Sequence, residues 1–375
     1  MPESKNFITT LEKPAMATKF LVQLPGRSSP HAEAALDALN LVDSIEQRLS
    51  VYRESSEVSV VNRDAAQGPV PVSRDTFHLL KIARNISEQC GGAFDVSAGT
   101  LVDCWGFSRR SGVVPSADSI QDAMQSVGWR NLDLDAENQT VQFRRPGMRL
   151  NLGAIGKGFA VDKIAQFLIE SGVQDFLVAG GNSSIRALGN DREDASDSPG
   201  SSDTSGDPAP CPDDEMDRGV SHGWWIGIQH PLLPQHRIGG IRLINAALAT
   251  SGSGKQFFHH RGKRLGHVLD PRTGWPSGEC LSLTLRLEST AAEGFPATRA
   301  DAIATALYVD SVRHAPVPHA STPLPSWPDS NDREDQQAER MVGTDAARVI
   351  VWPDKRQNEV QVQRVNLDDN DWRND

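Results

Sequence analysis

The chain has 375 residues and a formal net charge of −11 at pH 7, long enough for one large domain or two smaller ones. Residues 190–222 hold ten acidic residues against Arg192 and Arg218, a balance of −8, so the remaining body is only mildly acidic and has no electrostatic footprint for nucleic acid. Cys90, Cys104, Cys211 and Cys280 form no CxxC pair, which removes the usual zinc and redox signatures.

Residues 1–15 form an N-terminal extension with Glu3, Lys5, Glu12 and Lys13 and no apolar run of signal-peptide length. No window approaches the roughly 20 apolar residues of a membrane span, so the chain reads as soluble and, by default, cytoplasmic. Lys19 to Leu24 alternates as a strand, and Leu36, Leu39, Val42, Ile45 and Leu49 recur at helical spacing within Ala34 to Ser50. A second helix is expected from Ser73, with Phe77, Leu80, Ala83 and Ile86 inward, ending at Gly91-Gly92; a third runs from Ser116 to Val127. Thr140–Phe143 and Met148–Leu152 read as paired strands about a Pro146-Gly147 turn. A glycine-rich turn then leads into a helix from Lys157 to Ser171, and Phe176 to Ala179 forms a short strand.

The acidic segment 190–222 is rich in Ser, Asp, Pro and Gly and reads as a disordered insert. Trp224 to Gln229 and Arg237 to Ile244 follow as strands, and Leu281, Leu283, Leu285 and Leu287 alternate as a half-buried one. After a helix around Asp301, residues 315–346 are a second, proline-rich low-complexity insert. Within 347–375, Arg348 to Trp352 and Val360 to Val365 are closing strands before an acidic tail. Antiparallel pairs mixed with separate helices argue for an α+β fold, not a doubly wound parallel sheet.

Four segments carry chemistry. Asp301 and Thr305, four apart on one helix, present two hard oxygen ligands suited to Mg²⁺, although the same spacing describes a solvated helix face. In Asn151-Leu152-Gly153-Ala154-Ile155-Gly156-Lys157-Gly158, the glycines let backbone N–H groups approach an anion at a helix N-terminus and Lys157 adds charge; a plain tight turn is the alternative. The order GxxGxG is not the dinucleotide fingerprint. Ala93-Phe94-Asp95 could stack on a flat ring and accept its hydrogen bonds, or be a core Phe and a turn Asp. His267, ahead of Leu269, Asp270 and the Thr273-Gly274 turn, could bind phosphate or relay a proton, or serve the turn alone. His259-His260 has no third partner and reads as surface, and Trp105 and Phe107 read as core aromatics.

In this order the four segments resemble the ApbE family of flavin transferases over about residues 16–309. The resemblance implies an ApbE-like α+β fold and Mg²⁺-dependent transfer of FMN from FAD to a threonine of an acceptor protein, with AMP released. The acceptor it suggests is a respiratory flavoprotein subunit. It places Met16, Tyr52, Ala93, Phe94, Asp95, Asn151, Lys157, Gly181, His267 and Leu269 against the flavin nucleotide, and Ala154, through its carbonyl, with Asp301 and Thr305 on the metal. His267 is the candidate general base and Asp301 the second catalytic residue. Ala17 stands where the family has glycine, and many members are exported. An FAD pyrophosphatase and a non-catalytic FAD-binding protein are the alternatives.

Overall fold

The computed structural model describes residues 7–109, 111–191, 223–254, 257–260, 263–277, 280–290, 294–311, 347–353 and 360–374. The acidic insert from residue 192 onward, Cys211 and the proline-rich insert lie outside them. Strands β1 (Ile8–Ala15) and β2 (Thr18–Pro25) form a hairpin in register from Ile8↔Pro25 to Ala15↔Thr18. Residues 8–15 are therefore an edge strand and not an extension, and Glu12 and Lys13 place charge on that edge. The two-residue turn holds Met16 and Ala17 at φ 49° and 57°, the left-handed pair demanded by a type I′ hairpin and normally supplied by Asn-Gly.

Helix α1 (Ala32–Leu49) buries Ala35, Ala38, Leu39, Val42, Ile45 and Leu49, whereas Leu36 is 49% exposed on its outer side. Helices α2 (Glu57–Asp64) and α3 (Arg74–Gln89), separated by β3 (Val70–Pro71), are capped by Ser56 and Ser73, whose hydroxyls accept from Ser59 and Thr76 N–H. Helices α4 (Gly99–Cys104) and α5 (Ala117–Met124) follow, then the hairpin β4 (Leu132–Asp135) and β5 (Thr140–Phe143). Met148–Leu152 is not β5's partner. Its alternation reflects burial alone: Asn62 bonds both backbone groups of Leu150, at 2.6 and 3.1 Å, and Asn151 N–H donates to the Val96 carbonyl.

Helix α6 (Gly156–Glu170) leads to β6 (Phe176–Gly180) and β7 (Ser184–Leu188). Strands β8 (Trp224–Gln229), β9 (Arg237–Leu243), β10 (Ala246–Gly252), β11 (Phe257–His260), β12 (Lys263–Gly266) and β13 (Ser282–Glu288) precede helix α7 (Pro296–Asp310). The chain closes with β14 (Ala347–Pro353), β15 (Val360–Val365) and β16 (Trp372–Arg373). An antiparallel sheet of order β1-β2-β6-β7-β10-β13-β14-β15 forms the centre. Smaller sheets β16-β9-β8, β3-β5-β4 and β11-β12 surround it.

Both faces of the centre are covered. Val178, Ala247, Leu283 and Leu285 join the core of α1, α3, α6 and α7, while Leu177, Ala246, Leu248 and Val349 pack against Trp224, Ile241 and Trp372 of the small sheet. This is why β13, expected half-buried, also buries Ser282 and Thr284 on its other side. Each fully buried large side chain contributes about 1.5–3 kcal/mol of apolar transfer. Phe176 and Phe20, both 0% exposed, sit at the centre of that layer.

Candidate active site

Strand β5 is followed by an irregular stretch that turns sharply at Gly153 and Ala154 into α6. The Asn151 side chain shapes this turn by accepting Gly153 N–H at 2.9 Å. Glycine at 158 is required by packing, because a Cβ there would meet the Ala297 carbonyl oxygen at 2.3 Å. The first turn of α6 thus lies directly against α7, and its Gly158 N–H donates to Asp301 Oδ2 at 2.8 Å.

Asp301 is 6% exposed. The Ser184 hydroxyl of β7 lies 2.7 and 2.9 Å from its two oxygens. Burial pushes the carboxyl up to about 6; the Lys157 ammonium, the Ser184 hydroxyl and the Gly158 amide pull the other way, and the neighbouring Asp162 carboxylate adds to the rise. Four residues on, the Thr305 hydroxyl donates to the Asp301 carbonyl at 2.9 Å and lies 2.9 Å from Ser251 Oγ of β10.

These groups open onto a cleft of about 1180 Å³. Met16, Tyr52, Ala93, Phe94, Asp95, Asn151, Ala154, Lys157, Gly181, His267, Leu269, Asp301 and Thr305 all line it, so the residues that the resemblance placed on nucleotide and metal are brought to one place. Tyr52 stands at the rim, 74% exposed, beside a smaller hollow of about 320 Å³. Gly181, at φ 65°, packs on Thr18, whose Oγ1 a Cβ would meet at 2.6 Å. The hairpin turn of Met16 reaches across to Gly156, where a Cβ would lie 3.4 Å from the methionine methyl.

Asp95 and the His267 loop show how local structure and the cleft share residues. Asp95 accepts Ser97 N–H and Trp129 N–H at 2.8 Å each, so turn chemistry already engages both oxygens, and burial raises its carboxyl. Asp270 is engaged by Arg272, which also reaches Asp310 at 2.6 Å on α7. Trp105, fully buried, donates Nε1–H to Gly274 at 2.8 Å and anchors the loop that carries His267. Phe107 meets the His267 ring edge-on at 6.5 Å. His259 and His260 are exposed.

The donor set suits a small hard cation. Asp301 Oδ1 accepts one bond and the Thr305 hydroxyl keeps a lone pair, so both retain capacity for a ligand, and the exposed Ala154 turn lies in the same cleft. Among the described residues no group of three or more His, Cys, Asp or Glu is placed to hold a metal. One carboxylate with neutral oxygens suits Mg²⁺ better than zinc. Ser184, which holds Asp301, has no sequence signal: in Gly180-Gly181-Asn182-Ser183-Ser184 it is one small polar residue among several.

Comparison with known proteins bears on the family and the fold. A sequence model described as the ApbE family matches residues 16–317. A protein of Treponema pallidum (strain Nichols) named FAD:protein FMN transferase is 31% identical over 295 residues, covering 76% of this chain and 73% of the relative. One of the same name from Klebsiella pneumoniae (strain 342) is 30% identical over 249 residues, covering 66% and 68%. The ApbE protein of Thermotoga maritima superposes with a TM-score of 0.73 at 24% identity, covering 96% of this chain and 97% of the other. Flavin transferase ApbE from Vibrio cholerae gives 0.69 at 22%, again covering 96% and 97%. At those identities the two structures speak for a shared α+β fold. With a family model matched over most of its length and a 31% identical relative across three quarters of it, the chain belongs to the ApbE family.

Proposed function

We propose that the protein transfers FMN from FAD to a threonine hydroxyl of an acceptor protein and releases AMP. The observation that carries this is the convergence, at one end of a cleft large enough for a dinucleotide, of the buried Asp301 carboxylate, the α6 N-terminus and Lys157. Helix N-terminal amides and an ammonium bind phosphate, and an oxygen-only donor set beside them suits the cation that accompanies a pyrophosphate.

In the proposed reaction the threonine oxygen forms a bond to the FMN-side phosphorus, the bond from that phosphorus to the bridging oxygen breaks, and AMP leaves with the electron pair. The hydroxyl proton passes to His267, which lines the same cleft. The Lys157 ammonium, at the N-terminal end of α6, holds the phosphates in line and shares the developing charge. Tyr52 and Met16 offer aromatic and apolar surface for the rings of the nucleotide, while Phe94 and Leu269, 3% and 7% exposed, reach the cleft only as buried lining. Mg²⁺ bound by Asp301, Thr305 and the Ala154 carbonyl would supply charge neutralisation at the pyrophosphate and the departing AMP. The acceptor is expected to be a respiratory flavoprotein subunit that presents an exposed threonine.

The test is incubation with FAD, Mg²⁺ and a threonine-bearing acceptor peptide, with the threonine-to-valine peptide as control. Covalent flavin on the first peptide alone, with equimolar AMP, is the expected result. Free FMN and AMP without peptide labelling would identify a pyrophosphatase, and intact bound FAD a binding protein.

A further inference from the structure

Asp162 lies one helical turn beyond Gly158 on α6, is 1% exposed, and does not line the cleft. Helix α7 begins without a cap of its own: the Phe295 side chain makes no cap bond, and Pro296 at the first position has no N–H. The next two donors, Ala297 N–H and Thr298 N–H, donate to Asp162 at 3.2 and 2.7 Å, and the Thr298 hydroxyl adds a bond at 2.7 Å. Arg186 of β7 donates Nη1–H to Asp162 Oδ1 at 3.0 Å. One carboxylate on α6 therefore caps α7 and ties it to β7.

We infer that Asp162 is a positioning residue for the Asp301 centre. The argument is one of register. Gly158 and Asp162 are four apart on α6, Ala297 and Asp301 are four apart on α7, and Ser184 and Arg186 are two apart on one face of β7. The bonds around Asp162 thus repeat, one turn away, the bonds around Asp301: the same three elements meet in two tiers, the second aimed at the cleft. Gly158 approaches the backbone of Ala297 and Thr298 closely, and Asp162 binds the N–H groups of those same two residues, so it holds α7 at that contact. A metal ligand tolerates displacements of only about 0.2 Å, and partners behind the ligands typically change metal affinity or activity about 10–100-fold.

The inference rests on the reading of Asp301 as a Mg²⁺ ligand, and the experiment separates the two. Mn²⁺ binding to FAD-loaded protein, without acceptor, is measured by paramagnetic resonance for wild type, Asp162→Asn, Thr298→Val and Asp301→Ala. FAD affinity is measured separately by fluorescence quenching in metal-free buffer. Asp162→Asn should weaken Mn²⁺ about tenfold and Thr298→Val about threefold, with FAD affinity within about twofold of wild type. Wild-type Mn²⁺ affinity in Asp162→Asn and Thr298→Val, with binding lost in Asp301→Ala, overturns the positioning role alone. Wild-type Mn²⁺ affinity in Asp301→Ala overturns the metal reading and the inference with it. An equal fall in FAD and Mn²⁺ affinity shows general loosening and also overturns it. Should Asp162→Asn fail to fold, Thr298→Val decides by the same criteria.

Discussion

Lowering the pH from 7 to 5 should weaken Mg²⁺ binding about tenfold, an unusual sensitivity for a carboxylate site. The Asp301 carboxyl is pushed up to about 6, chiefly by burial. It is then roughly 90% ionised at pH 7 and roughly 10% at pH 5, whereas an ordinary Asp near 3.8 stays more than about 90% ionised at both. Because the cation must meet the deprotonated form, the ratio passes directly into its apparent affinity, about 1.4 kcal/mol. Calorimetric Mg²⁺ titration of FAD-loaded protein at pH 7 and at pH 5 measures this. Affinity that stays flat to pH 5 would refute the reasoning. The same shift acts with opposite sign on metal-free stability. Between pH 3.8 and 6 the native carboxyl binds a proton that the unfolded chain does not, so this group destabilises the fold above pH 6 and ceases to do so as pH falls. The contribution reaches about 3 kcal/mol, so the melting temperature of wild type should gain on that of Asp301→Ala as metal-free buffer is taken from pH 7 to 5.

Asp301→Ala should abolish Mg²⁺-dependent transfer with the fold kept, as alanine suits the helix, while Thr305→Ala should be milder; rates across a Mg²⁺ series with circular dichroism test both. Lys157→Ala should weaken FAD binding by about tenfold and leave the metal requirement in place, read by fluorescence quenching at several Mg²⁺ concentrations. Gly158→Ala should lower stability by about 1–3 kcal/mol in urea unfolding, since the new Cβ meets backbone and not a movable side chain. Ala17→Gly should raise it by about 1 kcal/mol, because Ala17 holds φ 57°; an unchanged or lower melting temperature would mean the turn is unstrained.

Local pattern made much of the molecule legible. Helical spacing found α3 with its buried face and α1 with all of its expected face but Leu36, strict alternation found β13, and the glycine turn marked the start of α6 to within a residue. The residues matched to the family all reached one cleft, because each lies in a segment whose conformation is set nearby. What escaped was decided at long range. Ser184 and Asp301 are separated by 117 positions, and Asp162 meets Thr298 across 136. Nothing in the neighbourhood of any of them says that they touch. The misread pairing of Met148–Leu152 has the same origin, since Asn62, 88 positions earlier, supplies the bonds a partner strand would have made. Residues 8–15 read as a tail because an edge strand with one wet face and few large side chains has little pattern to show.

The central sheet runs β1-β2-β6-β7-β10-β13-β14-β15, so spatial order follows chain order without a single exchange. During synthesis each strand can therefore join an edge that already exists, and no gap must be held open for a later arrival. The groups around Asp301 do not share this gradual schedule. Gly158 and Ser184 emerge in the first half of translation, but their common partner Asp301 comes more than a hundred residues later. On the proposed reading of Asp301 as a cation ligand, a ribosome-bound chain can thus acquire much of its central sheet before it can grip a cation, and competence arrives with α7 in a single late step. Chains stalled before Pro296 should be protease-resistant over β1 to β7 yet bind no Mn²⁺.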